Sequence, residues 1–119
     1  ESHSDALCFL SKKWPDYNNL ILYNGTWYYV ENGKINWHYT NLVQYYGTWY
    51  YVENGKLNWN FTDLFQYFGT WYYIRGGVLD WNYTGLVYHA GGWYYVSKGR
   101  LDWNHSGLIY YNNDWFYID

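Results

Sequence analysis

The stretch "NGTWYYVENGKINW", from Asn24 to Trp37, decides the fold because close copies of it return along the chain at one fixed spacing. Tryptophans mark the copies in two series that step by 22 residues: Trp27, Trp49, Trp71, Trp93 and Trp115, and Trp37, Trp59, Trp81 and Trp103. A period of this size is typical of a stacked repeat architecture. We therefore predict five tandem aromatic repeats over residues 20–119, the last one truncated.

Each repeat has the signals of three short strands. An apolar run at Leu20 to Tyr23 is followed by Asn24-Gly25, a pair that tolerates the positive φ values of a type I′ hairpin turn. Thr26 to Glu31 is rich in residues that suit a pleated strand, and Asn32-Gly33 then supplies a second turn of the same kind. Lys34 to Tyr39 is the predicted third strand. The sequence therefore predicts an all-β fold, a β-hairpin solenoid of tandem 22-residue repeats.

Aromatic residues lie on both faces of the predicted strands. Side chains alternate along a strand, which places Trp27 and Tyr29 on one face and predicts that Ile35, Trp37 and Tyr39 share a face. A single hairpin of this size is only marginally stable in water. The neighbouring repeat is expected to cover one face, and the other face is expected to be partly covered.

The two ends of the chain depart from the repeat. Residues 1–19 are predicted to form an N-terminal cap and a degraded repeat, in which Trp14 and Tyr17 replace Trp37 and Tyr39. The last copy stops in its middle strand, and the open edge there makes a homodimer through the C-terminal end one expectation. Because the sequence opens with Glu1 rather than Met, we expect a processed product or an excised fragment.

Composition disfavours several classes of partner. The formal net charge is −3, and the seven Lys and Arg residues are scattered, so no basic stripe is available for nucleic acid. No apolar run approaches the ~20 residues that a membrane-spanning helix needs. A chain of 119 residues made of repeats leaves no room for a separate catalytic domain.

Residues that could carry catalysis or bind a metal do not recur together. Asp80 and Asp102 stand where earlier copies have Asn36 and Asn58, which favours hydrogen bonding at a strand end over acid catalysis. The four histidines have no spacing typical of a zinc site. We therefore expect no enzyme activity, no catalytic residues, no metal and no cofactor.

What remains is aromatic surface. Ten Trp, nineteen Tyr and five Phe residues would create shallow grooves along a stack, and these could accept sugar rings or enclose a quaternary ammonium group by cation–π attraction. Alternatively, the same rings could form the core between repeats. The candidate ligand-binding residues are Trp27, Trp37, Trp49, Tyr51, Trp59, Trp71, Tyr73, Trp81, Trp93, Tyr95 and Trp103.

The stretch "YNGTWYYVENGK", residues 23–34, resembles the choline-binding and glucan-binding cell-wall repeats of Gram-positive surface proteins and phage-type lysins. The resemblance extends over residues 20–119, and "YTGL" at Tyr83 to Leu86 stands where that family has T-G-W. It is also similar to repeat tails of secreted clostridial enzymes. The resemblance implies a β-hairpin solenoid that anchors a partner domain to wall polymer, and a secreted or cell-surface location.

The same resemblance bears on the ligand. Family choline cages use the Trp of T-G-W, a position held here by leucine, at Leu42, Leu64, Leu86 and Leu108. This favours a cell-wall polysaccharide or other glycan polymer over choline. If a pocket is retained, the resemblance places it at the W-Y-Y aromatics, and the series that contains Trp37 would complete it.

Three functional hypotheses follow. The leading one is a non-catalytic module that binds cell-wall or surface carbohydrate through aromatic grooves between repeats. The second is a structural spacer or dimerisation stack whose aromatics are all buried. The third is the targeting part of a secreted antibacterial or toxin-like protein.

Overall fold

The computed structural model describes residues 11–118, which are all-β apart from the helical residues 11–13. The strands, in chain order, are β1 Asn19–Tyr23, β2 Thr26–Glu31, β3 Lys34–Ile35, β4 Asn41–Tyr45, β5 Thr48–Glu53, β6 Lys56–Leu57, β7 Asp63–Tyr67, β8 Thr70–Arg75, β9 Val78–Leu79, β10 Gly85–His89, β11 Gly92–Ser97, β12 Arg100–Leu101, β13 Gly107–Tyr111 and β14 Asp114–Ile118. The predicted fold class, an all-β chain of tandem hairpin repeats, is confirmed. Most of the predicted cap, residues 1–10, lies outside the described residues, and its boundary at residue 19 stays a prediction.

Both turns of the repeat have the backbone that their sequences predict. Asn24 and Gly25 have φ values of 48° and 79°, and Asn32 and Gly33 have 53° and 77°. Two consecutive positive φ values define the type I′ turn, whose twist matches that of the flanking strands. The first turn fixes the register of β1 and β2, in which Tyr23 pairs with Thr26 and Leu20 pairs with Tyr29.

The third strand is much shorter than predicted. It ends at Ile35 rather than Tyr39, so the prediction that Ile35, Trp37 and Tyr39 share a strand face is wrong. The physical reason is Asn36, whose Oδ1 accepts a hydrogen bond from the His38 backbone N–H at 3.0 Å. An Asx turn of this kind competes with a strand for the backbone.

Two compact units can be distinguished by their internal contacts. The first contains described residues up to 60 together with 76–78, and the second contains residues 61–75 and 79–118. In the first unit, Tyr28 of β2 pairs antiparallel with Lys56 of β6. In the second, Arg100 of β12 pairs with Tyr72 of β8 in the same register. Within each unit, therefore, the short third strand of one repeat pairs with the long strand of the repeat before it.

Each core forms where opposite faces of consecutive repeats meet. We call the face with Trp27 and its equivalents the front, and the face with Tyr28 and its equivalents the back. In the first unit, Leu20 on the front of the first repeat packs against Val52 and Leu57 on the back of the second. Burying each of these side chains contributes roughly 1.5–3 kcal/mol.

The second unit repeats this packing two copies later. Leu64, on the front of the third repeat, packs against Val87 and Val96 on the back of the fourth. In each unit, a leucine in the first strand of a repeat, Leu20 or Leu64, forms the centre of the contact. Stacking of neighbouring repeats is what the 22-residue period predicts, and the structure adds that they stack front to back.

Candidate functional site

An aromatic groove lies between the first and second repeats of the first unit. Its cavity has a volume of about 60 Å³, and it is lined by Leu20, Trp27, Tyr45, Tyr50, Leu57 and Trp59. The first two residues come from the front of one repeat, and the other four come from the next repeat. The ring centroids of Trp27 and Tyr45 are 5.3 Å apart at 64°, and those of Tyr50 and Trp59 are 6.0 Å apart at 81°.

The loop after the short third strand positions Trp59. The Asn58 backbone N–H donates to the Tyr51 carbonyl at 3.0 Å, and its side-chain Nδ2 donates to Glu53 Oε1 at 2.9 Å. Asn58 Oδ1 in turn accepts the backbone N–H of Asn60 at 2.9 Å. These bonds turn the chain so that Trp59 packs edge-on against Tyr50 while its side chain stays 50% exposed.

One further ring extends the aromatic surface beside this groove. Tyr46 is 91% exposed and packs edge-on against Tyr45 with a centroid separation of 4.6 Å. Its φ is 49°, a left-handed conformation that costs a non-glycine residue roughly 1–2 kcal/mol. Phe68 occupies the equivalent turn position in the second unit, at φ 48° and 89% exposure. Neither ring is buried, so packing alone does not account for an aromatic residue in a strained turn.

The same four ring positions recur between the third and fourth repeats, with one substitution. His89 replaces Tyr45, and its ring centroid is 5.3 Å from that of Trp71. The equivalents of Tyr50 and Trp59 are Tyr94 and Trp103, whose centroids lie 6.1 Å apart. His89 Nδ1 also lies 2.9 Å from Asp63 Oδ1. The ring cluster between the third and fourth repeats therefore includes an imidazole in contact with a carboxylate, which the first groove lacks.

The predicted strand-end role of the aspartates is visible in the second unit. Asp80 Oδ1 accepts the Asn82 backbone N–H at 3.0 Å, and Asp102 Oδ1 accepts that of Asn104 at 3.0 Å. Asp80 also lies 3.8 Å from the Arg75 guanidinium, at the position where Asn58 pairs with Glu53. The carboxylate thus takes over the loop geometry of asparagine, with an arginine in place of the glutamate.

The predicted ligand-binding residues occupy several environments. The groove brings together Trp27 and Trp59, one from each tryptophan series. Tyr51 is 5% exposed and belongs to the core. The exposed candidates are Trp37, Trp59, Trp81, Trp93 and Trp103, and the half-buried ones are Trp27, Trp49, Trp71, Tyr73 and Tyr95. Trp93 lines two cavities other than this groove. Whether any of them binds a ligand stays a prediction.

Two groove residues, Tyr45 and Tyr50, are not among the candidates predicted from the sequence. Tyr45 keeps the 22-residue step with Tyr23 and Tyr67, so its spacing could have identified it. Tyr50 is the first tyrosine of W-Y-Y, whereas the candidates include the second, Tyr51. The front-to-back packing explains why Tyr50 rather than Tyr51 lines the groove, because a groove between repeats uses Trp from one face and Tyr from the other.

Electrostatics of the first groove are simple, since none of its six lining residues carries a charge. Within residues 11–118, no group of three or more His, Cys, Asp or Glu side chains is placed to hold a metal ion. Among the same residues, no helix is long and apolar enough to cross a membrane.

The chain belongs to the choline-binding repeat family. The sequence model of that family, described as "Choline-binding repeat", matches residues 16–36, 39–58, 60–80, 82–102 and 106–118, which together make up most of the chain. Members of the family are binding modules associated with bacterial cell-surface proteins. The coarse functional class is therefore that of a binding module.

Solved structures from Streptococcus pneumoniae are similar to the chain. The choline-binding domain of Spr1274 is 31% identical, with 72% of this chain and 95% of that one covered and a TM-score of 0.42. CbpJ of strain TIGR4 is 25% identical, with 87% and 33% covered and a TM-score of 0.39. Choline binding protein F is 27% identical, with 86% and 36% covered and a TM-score of 0.38. The chain thus spans about a third of the length of the last two. No curated protein sequence matches it.

Proposed function

We propose that the chain is a non-catalytic module that attaches to a repetitive, choline-bearing polymer of the bacterial cell wall, outside the cell. The observation that carries this proposal is the groove in which Trp27, Tyr45, Tyr50 and Trp59 converge. In this groove Trp59 supplies the indole that the leucine at the T-G-W position does not. The choline headgroup would enter this groove, and the polymer would extend from it into solvent.

The chemistry of the groove suits a quaternary ammonium group. Such a group is a large, weakly hydrated cation with an apolar methyl surface, and it is attracted to the faces of aromatic rings. Each favourable cation–π contact contributes about 0.5–2 kcal/mol, depending on how far water is excluded. The cavity of about 60 Å³ could receive methyl groups of such a headgroup while the rest of the headgroup stays in the open groove.

Exposure of the indoles supports a binding module over a spacer. Trp37, Trp59, Trp81, Trp93 and Trp103 are all exposed. A stack whose aromatics serve only as core would cover these rings, because Trp has a large apolar surface to bury. The strained and exposed Tyr46, which borders the groove through Tyr45, supports the same conclusion, since costly backbone conformations concentrate at binding sites.

Repetition would compensate for weak individual sites. A single headgroup in a shallow groove is expected to bind with a dissociation constant of about 1 mM, which corresponds to about 4 kcal/mol. A polymer with many headgroups makes the second contact intramolecular, and this raises the apparent affinity by about 10²–10⁴-fold where the spacing allows it. A repeated receptor therefore suits a repeated ligand.

Tryptophan fluorescence can test the proposal with a matched pair of ligands. Choline chloride is titrated into the chain in parallel with 3,3-dimethyl-1-butanol, which has the same shape but no charge. We expect saturable quenching with choline, and at least a tenfold weaker effect with the neutral alcohol because cation–π attraction is lost. Trp59→Ala should abolish the choline response of this groove, and Asp80→Asn should retain it.

Binding to isolated walls provides the second arm. Walls that contain choline should retain the chain, and free choline should elute it. Equal retention on walls that lack choline, together with no saturable response to the free headgroup, would overturn the proposal and favour the spacer. A response of equal strength to choline and to the neutral alcohol would overturn the cation–π assignment.

We also propose that a second copy of the chain can cover the front face of the last hairpin. Leu108 is 65% exposed there, whereas Leu20, at the same position in the first repeat, is 1% exposed because the next repeat covers it. Light scattering should show a dimer at micromolar concentration, and Leu108→Lys should convert it to a monomer. A wild-type chain that stays monomeric throughout would contradict this expectation.

A further inference from the structure

A second cavity in the residue 61–118 unit differs from the aromatic groove in its chemistry. It has a volume of about 330 Å³, which is within the usual size of small-molecule sites. Asp63, Tyr73, Tyr83, Tyr88, Trp93 and Tyr111 are among the residues that line it. One carboxylate and several phenol hydroxyls thus surround a single indole, whereas the first groove has two indoles, two phenols and two leucines and no carboxylate.

A glycine lies beside this cavity, next to two of the tyrosines that line it. In the first three repeats, the residue before the core leucine is Asn19, Asn41 or Asp63, and its Oδ1 accepts the next backbone N–H at 2.7–2.8 Å. The fourth repeat has Gly85 instead. A Cβ atom there would lie 3.2 Å from the Tyr83 hydroxyl and 3.3 Å from a ring carbon of Tyr111. The missing side chain lets these two tyrosines approach.

The Tyr83 hydroxyl beside Gly85 is ordered by a hydrogen bond. It donates to the Leu86 carbonyl at 2.6 Å. Burial, followed by the effect of the neighbouring Tyr111 phenol, raises the pKa of Tyr83 far above its ordinary value, and burial likewise raises the pKa of Tyr73. Both phenols therefore keep their protons in the physiological range. Ordered hydroxyls at the wall of a cavity are suited to a ligand that has hydroxyls of its own.

Asp63 adds a charged acceptor at the rim. Its Oδ1 accepts the Leu64 backbone N–H at 2.7 Å and lies 2.9 Å from His89 Nδ1. Both contacts use Oδ1, so within residues 11–118 the second carboxylate oxygen has no hydrogen-bond partner. A carboxylate oxygen forms strong hydrogen bonds with hydroxyl donors.

Trp93 offers the flat apolar surface of the site. It is exposed, and its ring packs edge-on against Tyr88 at 5.2 Å and against Tyr111 at 6.4 Å. An exposed indole offers apolar ring surface to a ligand. A saccharide has a face of C–H groups that can lie on such a ring, and hydroxyls around its perimeter.

We propose that the cavity beside Gly85 binds a neutral sugar ring, with its apolar face on Trp93 and its hydroxyls bonded to Asp63 and to the tyrosine hydroxyls. Polar groups dominate the chemistry of this wall, which distinguishes it from a cage for a quaternary ammonium group. Because a wall polymer would supply the sugar, the inference rests on the proposed function for its natural ligand. The module would then read two parts of one polymer, a cationic headgroup in one unit and a saccharide in the other.

The test follows indole N–H signals by NMR in the full chain, with methyl glycosides of D-glucose, D-galactose and N-acetyl-D-glucosamine as probes. At least one of them should shift the Trp93 signal saturably and leave the Trp59 signal unchanged. Gly85→Asn copies the residue of the second repeat, and we expect it to weaken binding at least tenfold by displacing Tyr83 and Tyr111 in the cavity wall. Asp63→Asn keeps the backbone cap and should weaken binding about threefold to tenfold.

Two controls separate the roles of neighbouring groups. His89→Tyr copies the residue of the other repeats and removes the contact to Asp63, and sugar affinity should change less than threefold. Trp59→Ala should leave sugar binding unchanged. No saturable shift at Trp93 with any probe, or equal affinity in the wild type and in folded Gly85→Asn, would overturn the inference. Loss of choline binding with sugar binding intact would instead remove the proposed headgroup site and leave this one standing.

Discussion

The two turn edges of the repeat differ in how closely they are packed. At the second turn, a Cβ on Gly55 would lie 2.7 Å from the Asn36 carbonyl oxygen, and its counterpart Gly99 meets Asp80 in the same way. At the first turn, a Cβ atom added to Gly47 or Gly91 would have no heavy atom of another part of the chain within 4 Å. The second-turn edge is therefore closed by backbone against backbone, and the first-turn edge is open.

The two turn edges also differ in their hydrogen bonds to the neighbouring repeat. At the closed edge, Gly55 donates to the Tyr39 carbonyl at 2.9 Å and accepts from the Tyr29 N–H at 2.8 Å, so each turn joins two repeats. Within residues 11–118, the first turns make no such bond to a neighbouring repeat. The open edge varies between copies and carries the exposed rings of Tyr46 and Phe68. The closed edge therefore joins the repeats, and we propose that the open edge, which carries exposed rings, takes part in recognition.

The largest effect on stability is expected from a glycine-to-alanine substitution, compared between the closed edge at Gly55 and the open edge at Gly47. Both glycines have positive φ, 81° at Gly55 and 83° at Gly47, so alanine costs roughly 1–2 kcal/mol at either position. Gly55→Ala also forces backbone atoms apart, for a total of about 3–5 kcal/mol. Urea denaturation followed by circular dichroism measures both. Equal losses at the two positions would remove the distinction between closed and open edges.

Trp59→Ala should have the next largest effect, on binding. The closed edge holds the Trp59 backbone, since a Cβ on Gly77 would lie 3.0 Å from its Cα atom, and its side chain lines the groove. We expect retention on a wall-affinity column to fall at least tenfold. Asp80→Asn copies a neighbouring repeat and should change retention little, because its exposed pair with Arg75 contributes ~0–1 kcal/mol. Equal retention for both variants would contradict the assignment of the groove.

Tyr83→Phe tests the loop that receives the closed edge of the fourth repeat. The backbone carbonyl of Tyr83 accepts the Gly99 N–H at 2.9 Å, and its hydroxyl donates to Leu86. Phe61 occupies this position in the second repeat, so the ring itself is tolerated. Losing the hydroxyl bond should lower the free energy of unfolding at pH 7 by about 1 kcal/mol.

The same variant has a pH signature. Burial raises the pKa of Tyr83 above the ordinary value of 10.0, so the unfolded state ionises first as pH rises. The stability that this hydroxyl contributes is complete below pH 10 and is lost above it. Tyr83→Phe should therefore lose less stability than the wild type between pH 9 and about 11. Parallel curves for the two proteins would show that the phenol does not titrate in this way.

Tyr46→Asn should have the smallest effect on stability, and it should be favourable. Asparagine tolerates the left-handed conformation better than tyrosine, and Asn24 holds this position in the first repeat. Because the variant also loses the ring contact with Tyr45, we expect a net gain of about 0.5–1 kcal/mol in the free energy of unfolding. Retention on the wall-affinity column should be weaker. A variant that is more stable and binds equally well would show that the exposed ring has no part in recognition.

Sequence determined the strands and turns well because their signals are local. The Asn-Gly pairs and the period of 22 sufficed for the hairpins, whereas the early end of the third strand depends on Asn36, which bonds both His38 and Glu31. Alternation showed which side chains share a face, but it did not show which face of the next repeat they meet. Tyr50 was missed for this reason, and the buried Tyr51 was included.

The most direct test of the account is an intermolecular NOE measurement between choline and the full chain. The account predicts NOEs from the choline methyl groups to ring protons of Trp27, Tyr50 and Trp59, which line one cavity. Trp59→Ala should remove them. Contacts confined to rings outside this groove, or none at a choline concentration that saturates the fluorescence response, would contradict it.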